Sequence, residues 1–256
     1  MIRLLEAVGR GVLRFLEELG RFFTMLGRTL LWMPRSPFDL SELLRQMVRV
    51  GVDSVPVVFL TTLFTGMVLA LQTHNAFAKF NATSLTGTVV ALSLMQELSP
   101  VLSGLMVTGR VGSSMAAEIA SMRITEQIDA LTALATEPVQ YLFVPRVVAS
   151  ILMLPLLVVM GDVVGMYGGY VVSVNLLGAN PVTYFESSFE HVDMNDFTAG
   201  LIKAAVFGLL LSVVACVRGY YTVGGAEGVG RSTTQAVVVG SLAILLSDFF
   251  LTRLLF

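Results

Sequence analysis

Five long apolar segments dominate the pattern of hydrophobic and polar positions along the chain. Each approaches the roughly 20 residues that an α-helix needs to cross the hydrocarbon core of a bilayer. The five predicted spans cover residues 53–73, 86–108, 147–173, 198–217 and 234–255. The pattern therefore predicts an all-α integral membrane protein in which residues 1–256 form a single membrane domain, with a transmembrane bundle over 53–255.

Residues 1–50 carry a different pattern, in which apolar residues recur every three or four positions and arginines occupy another stripe of the same helix. The apolar positions are Leu5, Val8, Val12, Leu16, Leu19, Phe23, Leu26 and Leu30, and the arginines are Arg3, Arg10, Arg14, Arg21 and Arg28. This pattern is typical of an amphipathic helix in the membrane interface, with its basic side toward the headgroups. The alternative is a soluble amphipathic helix that packs on a partner protein.

Composition and charge agree with a membrane protein and predict its orientation. The chain is 55% hydrophobic and 13% charged, with a mean hydropathy of +0.81, whereas soluble domains are about 25% charged. Arginines are concentrated in the N-terminal segment and in the connections after spans two and four, while the opposite side holds only Lys79, Lys203 and Arg253. Because positive residues are enriched on the cytoplasmic side, we predict a cytoplasmic N-terminus and a C-terminus on the opposite face.

Small residues in span three predict close helix packing. Gly161, Gly165 and Gly169 recur at a spacing of four, which lets two helix backbones approach closely. The contact is expected within one chain, with a contact between two copies as the alternative. In the acidic loop 174–197 that follows, a short helix is predicted after Pro181.

The longest cytoplasmic connection, residues 109–146, contains a predicted short amphipathic helix. Its apolar stripe consists of Ile124, Ile128, Leu131 and Leu134, and Glu126, Gln127 and Asp129 occupy its other faces. An exposed apolar stripe on the cytoplasmic side needs a partner. The pattern therefore predicts that this helix contacts a second protein.

A run of motifs in and before this connection carries a specific resemblance. The motifs are ELSPVL at 97–102, GRVG at 109–112, Ala117-Glu118, Met122-Arg123 and TEQIDAL at 125–131. Over residues 96–138 they closely resemble the MlaE/YrbE permease family. The similar span layout and the N-terminal amphipathic helix extend the resemblance across nearly the whole chain.

The resemblance implies a permease subunit of an ATP-driven ABC transporter in the bacterial inner membrane. Such a transporter moves phospholipids or related lipids between the inner and outer membranes and maintains the lipid asymmetry of the outer membrane. The implied partners are a second copy of the chain, a cytoplasmic MlaF-like ATPase and an MlaD-like MCE-domain protein, and the implied C-terminus is periplasmic. By the same resemblance the coupling helix that meets the ATPase contains Thr125, Glu126, Gln127, Ile128, Asp129 and Leu131.

Charged residues inside the spans are candidates for a substrate cavity, because each is costly there unless it is paired or faces water. Glu97 is expected to lie closest to the bilayer centre, with Lys203 and Asp248 at matching outer depths. The alternatives are a hydrogen bond from Glu97 to a neighbouring helix and mutual neutralisation of Lys203 and Asp248. Asp162, in the glycine-rich part of span three, is expected to be structural.

Several other functions lack the residues that they require. The sequence has no G-x-x-x-x-G-K-[ST] phosphate loop, so ATP and Mg²⁺ are expected to bind to a partner chain, and the glycines at 224–230 are expected to form a turn. There is no H-E-x-x-H or G-x-S-x-G motif and only one cysteine, Cys216, so neither a metal site nor an enzyme is predicted. No basic and aromatic run suggests nucleic-acid binding. A stand-alone secondary transporter or channel is the alternative function.

Overall fold

The computed structural model describes residues 2–35, 40–80, 82–190 and 192–255, without the side chains of residues 2–8, 10, 11, 14, 15 and 35. All regular structure among the described residues is helical, which confirms the all-α prediction. His191 and some side chains of the predicted N-terminal stripes lie outside the described residues. These stripe residues are Leu5, Val8, Arg3, Arg10 and Arg14.

Two helices precede the spans. Helix α1 covers Ile2–Trp32 and helix α2 covers Leu40–Val50. Met25 of α1 is buried in a core cluster, and Phe22 and Leu26 pack against the same cluster. The described residues of this segment are thus helical, while the placement of α1 in the membrane interface stays a prediction.

All five predicted spans are helices that are long and apolar enough to cross a membrane. They are α3 (Val55–Ala78), α4 (Thr83–Ile124), α6 (Val139–Leu176), α8 (Met194–Tyr220) and α9 (Gly225–Leu255). The connection between α4 and α6 contains the short helix α5 (Gln127–Ala133). Helix α4 continues well past the predicted end at 108. Helix α9 begins at Gly225, earlier than predicted. Gly224 and Gly225 have positive φ angles of 99° and 65°, but Gly228 and Gly230 lie within the helix, so the prediction of a turn over 224–230 is wrong for these two glycines.

Helices α3 and α6 touch along their glycines. A Cβ atom at Gly66 of α3 would overlap the carbonyl group of Gly165, and one at Gly161 would lie 2.9 Å from a methyl group of Thr62. A Cβ at Gly168 would lie 2.5 Å from a backbone carbonyl oxygen of α3. The glycine-rich face of α6 therefore packs within one chain, as expected.

Helix α8 is the central helix of the bundle and α9 the most peripheral. In the most apolar 18-residue stretch of each helix, 67% of α8 is buried but only 11% of α9. Phe207 and Leu211 of α8 form a core with residues from the neighbouring spans, including Val107 of α4 and Ile244 of α9. The other face of α9 is left exposed to the bilayer or to another protein.

The loop between α6 and α8 contains helix α7, Pro181–Glu190, which confirms the predicted short helix. Helix α7 lies across the first turns of α4. The Thr88 hydroxyl donates a hydrogen bond of 2.7 Å to the backbone carbonyl of Ser187. The helix therefore covers the end of the bundle at which α4 and α8 begin.

Candidate functional site

The three charged residues predicted as cavity candidates form one cluster. Lys203 of α8 is fully buried, and its Nζ lies 2.8 Å from Oε2 of Glu97 on α4 and 3.2 Å from Oδ1 of Asp248 on α9. The Thr252 hydroxyl accepts a hydrogen bond of 2.7 Å from Nζ and lies 2.9 Å from Oε1 of Glu97. The cluster thus ties three of the five spans together.

The local structure of α4 explains how the ammonium group is held. Residues Leu94–Leu98 form a π-helical turn directly before Ser99 and Pro100. Pro100 has no amide hydrogen to donate to the carbonyl of Gln96, four residues earlier. That carbonyl instead accepts a hydrogen bond of 2.9 Å from Lys203 Nζ.

Burying an ammonium group is costly unless it is paired and hydrogen-bonded. The carboxyl groups of Glu97 and Asp248 both contact the ammonium group and supply this pairing. Both acids remain partly exposed, with 36% of the Glu97 side chain and 19% of the Asp248 side chain accessible, while Lys203 is at 0%. The accessible side of the cluster is therefore a pair of carboxylates held in place by a buried cation.

The prediction that Glu97 lies deeper in the membrane than Lys203 is wrong. The sequence places Glu97 closer to the bilayer centre than Lys203 and Asp248, but the 2.8 Å contact sets Glu97 and Lys203 at one level. Mutual neutralisation of Lys203 and Asp248 is confirmed as an ion pair, with Glu97 as a third member. In the sequence, Pro100 indicates this site, because a proline leaves the carbonyl of Gln96, four residues earlier, without its helical amide donor.

A second polar contact extends the cluster toward the start of α8. The side-chain amide of Gln96 donates a hydrogen bond of 2.8 Å to Oδ1 of Asp196. Asp196 also accepts a 3.0 Å hydrogen bond from the backbone amide of Asp193 and so forms a capping box at the N-terminus of α8. The π-helical turn of α4 is thus fixed to the first turn of α8.

Asp162 is not part of this cluster. It is buried in α6, 3% exposed, beside the glycine contact with α3. Its Oδ1 makes no hydrogen bond within the described part of the chain. The expectation of a structural position is consistent with this burial.

The predicted coupling segment faces both the solvent and the protein. Its polar residues are exposed: Thr125, Glu126, Gln127 and Asp129. Ile128, by contrast, is 1% exposed and lies in a core cluster with Met25 and Phe143, and Leu131 packs against the same cluster. The expectation of an exposed apolar stripe is wrong for Ile128, because the left-handed backbone of Glu126, with φ of 59°, turns the chain so that Ile128 faces inward.

Ion pairs also connect α4, which precedes this segment, with α6 and α2. Glu118 of α4 lies 2.9 Å from Nη2 of Arg146 on α6 and 3.2 Å from Nη1 of Arg49 on α2. Arg110 donates a 3.1 Å hydrogen bond to the backbone carbonyl of Arg49 and lies 3.4 Å from Asp53. Sequence reasoning missed this network, although Arg110 and Glu118 are both part of the motifs at 109–118.

Comparisons with known proteins agree with the motif and the span layout. The family model described as Permease MlaE matches residues 43–254. A probable ABC transporter permease protein of Rickettsia felis is 46% identical over 256 residues, covering 100% of this chain and 99% of the relative.

Two more distant relatives have informative names. The intermembrane phospholipid transport system permease protein MlaE of Haemophilus influenzae is 34% identical, over 100% of this chain and 98% of the relative. The chloroplastic protein TRIGALACTOSYLDIACYLGLYCEROL 1 of Arabidopsis thaliana is 37% identical, over 90% of this chain and 66% of the relative. With a family model that spans most of the sequence, and with the Rickettsia felis and Haemophilus influenzae relatives matched along nearly their full length, this multi-pass membrane protein belongs to the MlaE permease family.

Proposed function

We propose that this chain is the permease subunit of an ATP-driven ABC transporter that moves phospholipids between the inner and outer membranes of a bacterium. In this role it helps to maintain the lipid asymmetry of the outer membrane. Membership of the MlaE permease family supports the proposal, as does the name of the Haemophilus influenzae relative, which refers to intermembrane phospholipid transport.

The observation that carries the proposal is the cluster of Glu97, Lys203 and Asp248 within an apolar bundle. A phospholipid has a polar headgroup and long apolar chains, so its path needs a small polar contact beside apolar walls. The partly exposed carboxylates of Glu97 and Asp248 can accept hydrogen bonds from a headgroup. The buried Lys203 contacts both carboxyl groups and holds them in position.

The energy for transport would come from a separate chain. A cytoplasmic MlaF-like ATPase binds ATP and Mg²⁺, and its hydrolysis cycle alternates the permease between two states, of which lipid binds one more tightly. In this scheme Thr125, Glu126, Gln127 and Asp129 form the surface that contacts the ATPase. Ile128 and Leu131 act from inside, because they anchor α5 to the bundle.

The assembly would contain two copies of this chain, with an MlaD-like MCE-domain protein on the periplasmic side to receive or deliver the lipid. The chain would lie in the inner membrane with its N-terminus in the cytoplasm. The concentration of arginine in the N-terminal segment and in the connections after spans two and four supports this orientation.

Variants of Glu97 test the proposal in proteoliposomes that contain the chain, its ATPase and its MCE-domain partner. Glu97→Gln keeps the shape and hydrogen bonding of the side chain, whereas Glu97→Leu removes both. We expect the Leu variant to impair ATP-dependent transfer of phospholipid to acceptor vesicles more than the Gln variant does, with the complex still assembled. Glu227→Gln, an exposed acid at the other end of α9, is the matched control and should transfer normally. Normal transfer by both Glu97 variants would remove the cluster from the lipid path.

A stand-alone secondary transporter or channel is the competing function. A buried lysine between two acids is also a type of intramembrane cluster that marks ion pathways. The two functions differ in their energy source. Transport by the purified chain alone, driven by a proton or sodium gradient without an ATPase, would favour the secondary transporter.

A further inference from the structure

A second, separate feature of the bundle is a groove between α1, α8 and α9. Its volume is about 720 Å³, within the range of about 300–1,000 Å³ that is typical of small-molecule sites. The walls are mainly apolar and include Phe22 and Phe23 of α1, Val214 of α8, and Leu242 and Leu246 of α9. The groove therefore offers a surface for an apolar chain, formed in part by the amphipathic helix α1.

One end of this groove is basic. Arg218 is paired with Glu18 at 2.8 Å, and Arg21 is paired with Glu17 at 2.5 Å. Arg231, on the second turn of α9, is exposed and lines the same end. It makes no hydrogen bond or ion pair with the part of the chain that the structure describes. Of the three arginines that line this end, Arg231 is thus the one without an ion pair among the described residues.

The length of the groove matches one leaflet of a bilayer. From Arg231 to Leu246 the helix rises about 22 Å, at roughly 1.5 Å per residue. A bilayer including its headgroups is about 40–45 Å thick, so one leaflet takes up about half of that distance. A phosphate beside Arg231 would therefore have its acyl chain beside Leu242 and Leu246.

We propose that this groove binds one anionic phospholipid from the leaflet on the side of the α8–α9 turn, with its phosphate at Arg231 and one acyl chain between α1 and α9. Basic pockets between transmembrane helices bind anionic headgroups in this way. With the predicted orientation this is the cytoplasmic leaflet. The inference goes beyond the proposed transport function, since a lipid can bind here whether or not it is transported.

This groove is distinct from the Glu97–Lys203–Asp248 cluster. Leu246 and Asp248 are two positions apart, so they point about 200° apart around α9. A second copy of the chain is a poorer occupant than a lipid. A two-fold contact brings the same patch of both subunits together, and it would place two Arg231 side chains, each without an ion pair among the described residues, in one apolar contact.

A tryptophan in the groove tests the proposal. In the full chain, Phe23→Trp combined with Trp32→Phe places the only tryptophan at the groove, because Trp32 is the only native one. The protein is placed in phosphatidylcholine nanodiscs that contain small fractions of brominated phosphatidylglycerol or brominated phosphatidylcholine. We expect phosphatidylglycerol to quench the fluorescence at about fivefold lower mole fraction, the ratio expected for one arginine near the membrane surface. Equal quenching by the two lipids would overturn the proposal.

Two matched pairs of variants, each made in the tryptophan background, locate the site. Arg231→Gln should abolish the preference for phosphatidylglycerol, whereas Arg253→Gln, which removes an exposed arginine at the other end of α9, should keep it. Ala243→Phe, which fills the groove, should remove the quenching, whereas Leu245→Phe on an exposed face outside the groove should not. Equal effects within either pair would contradict the assignment.

Two further measurements separate the lipid from other occupants. Inorganic phosphate should not compete with brominated phosphatidylglycerol, because a free anion gains nothing from the apolar walls. Competition by phosphate alone would identify the site as a simple anion site and overturn the proposal. A change of oligomeric state on Ala243→Phe, measured by cross-linking in the nanodisc, would show that the groove is a contact between copies and would likewise overturn it.

Discussion

The ammonium group of Lys203 donates a hydrogen bond of 2.9 Å to the backbone carbonyl of Gln96, four residues before Pro100. The contact joins the middle of α8 to the π-helical turn of α4. Because Pro100 cannot donate to this carbonyl, the fully buried lysine supplies the missing donor. The same ammonium group also bridges Glu97 and Asp248. One side chain therefore donates to an otherwise unpaired backbone carbonyl and contacts two intramembrane carboxyl groups.

Replacement of Lys203 by Met is expected to destabilise the bundle strongly. It leaves two carboxylates without a cation, and breaking a buried ion pair by removing one partner typically costs about 3–5 kcal/mol. The measurement is the thermal unfolding midpoint of the purified protein in detergent. Lys79→Met, which removes an exposed lysine between α3 and α4, is the control and should change little.

A triple variant distinguishes lost charge pairing from lost packing. Lys203→Met combined with Glu97→Gln and Asp248→Asn removes all three charges, and it should recover much of the stability lost by Lys203→Met alone. If the triple variant is no more stable than the single one, packing of the lysine side chain rather than ion pairing holds the three helices together.

The exposed face of the coupling segment is expected to bind the ATPase. Glu126→Lys combined with Gln127→Lys reverses the charge of a solvent-facing surface and should weaken co-purification of the ATPase without unfolding the bundle. Glu186→Lys on the exposed side of α7 makes a comparable change at the other end of the molecule and should leave association unchanged. Normal association and transport by the double variant would show that this segment is not the coupling element.

A different result is expected for the inward face of the same segment. Ile128→Asp puts a carboxylate into a core cluster, so it should lower the thermal unfolding midpoint of the permease itself. An unchanged midpoint combined with loss of the ATPase would mean that Ile128 contacts the partner directly, contrary to its burial.

The orientation of the chain can be measured with reporters fused to its ends. The distribution of arginine predicts a cytoplasmic N-terminus and, with five spans, a periplasmic C-terminus. A C-terminal alkaline phosphatase should therefore be active, because it needs the periplasm, and a C-terminal fluorescent protein that folds only in the cytoplasm should be dark. The reverse pattern would contradict the five-span topology.

The ion pair between α1 and α8 should give a pH-dependent contribution to stability. The hydrogen bond from Arg218 holds the pKa of Glu18 below its usual value of 4.5. A lowered pKa in the folded state gives stability that is present above the usual value and is lost as pH falls through the folded pKa. Glu18→Gln should therefore lower the unfolding midpoint at pH 7, by no more than a few degrees because the pair is partly exposed.

At pH 3 this difference between the wild-type protein and Glu18→Gln should shrink or vanish. Glu190→Gln, a change at an exposed acid of α7, provides the comparison at both pH values. A Glu18→Gln effect that stays constant from pH 7 to pH 3 would mean that the pair contributes no charge-dependent stability.

The class of the protein and most of its helical elements follow from local sequence patterns. Span length and helical periodicity are local properties, so the five spans, helices α1 and α2 and the helix that begins at Pro181 were all predictable. The close packing of Gly161 and Gly165 against α3 was also predictable, because small residues at a spacing of four mark a face on which another helix can lie. The family motifs lie within one contiguous stretch and needed no structure to be recognised.

Which residues far apart in the chain come into contact depends on the packing of the helices against one another. Glu97, Lys203 and Asp248 lie on three different helices, and their common level depends on how those helices are shifted along one another, which hydropathy does not specify. The inward direction of Ile128 depends on the turn at Glu126 and on a surface built from α1 and α6. The groove with Arg231 at its mouth exists because α1 folds back along α8 and α9, a contact between residues about 200 positions apart in the chain.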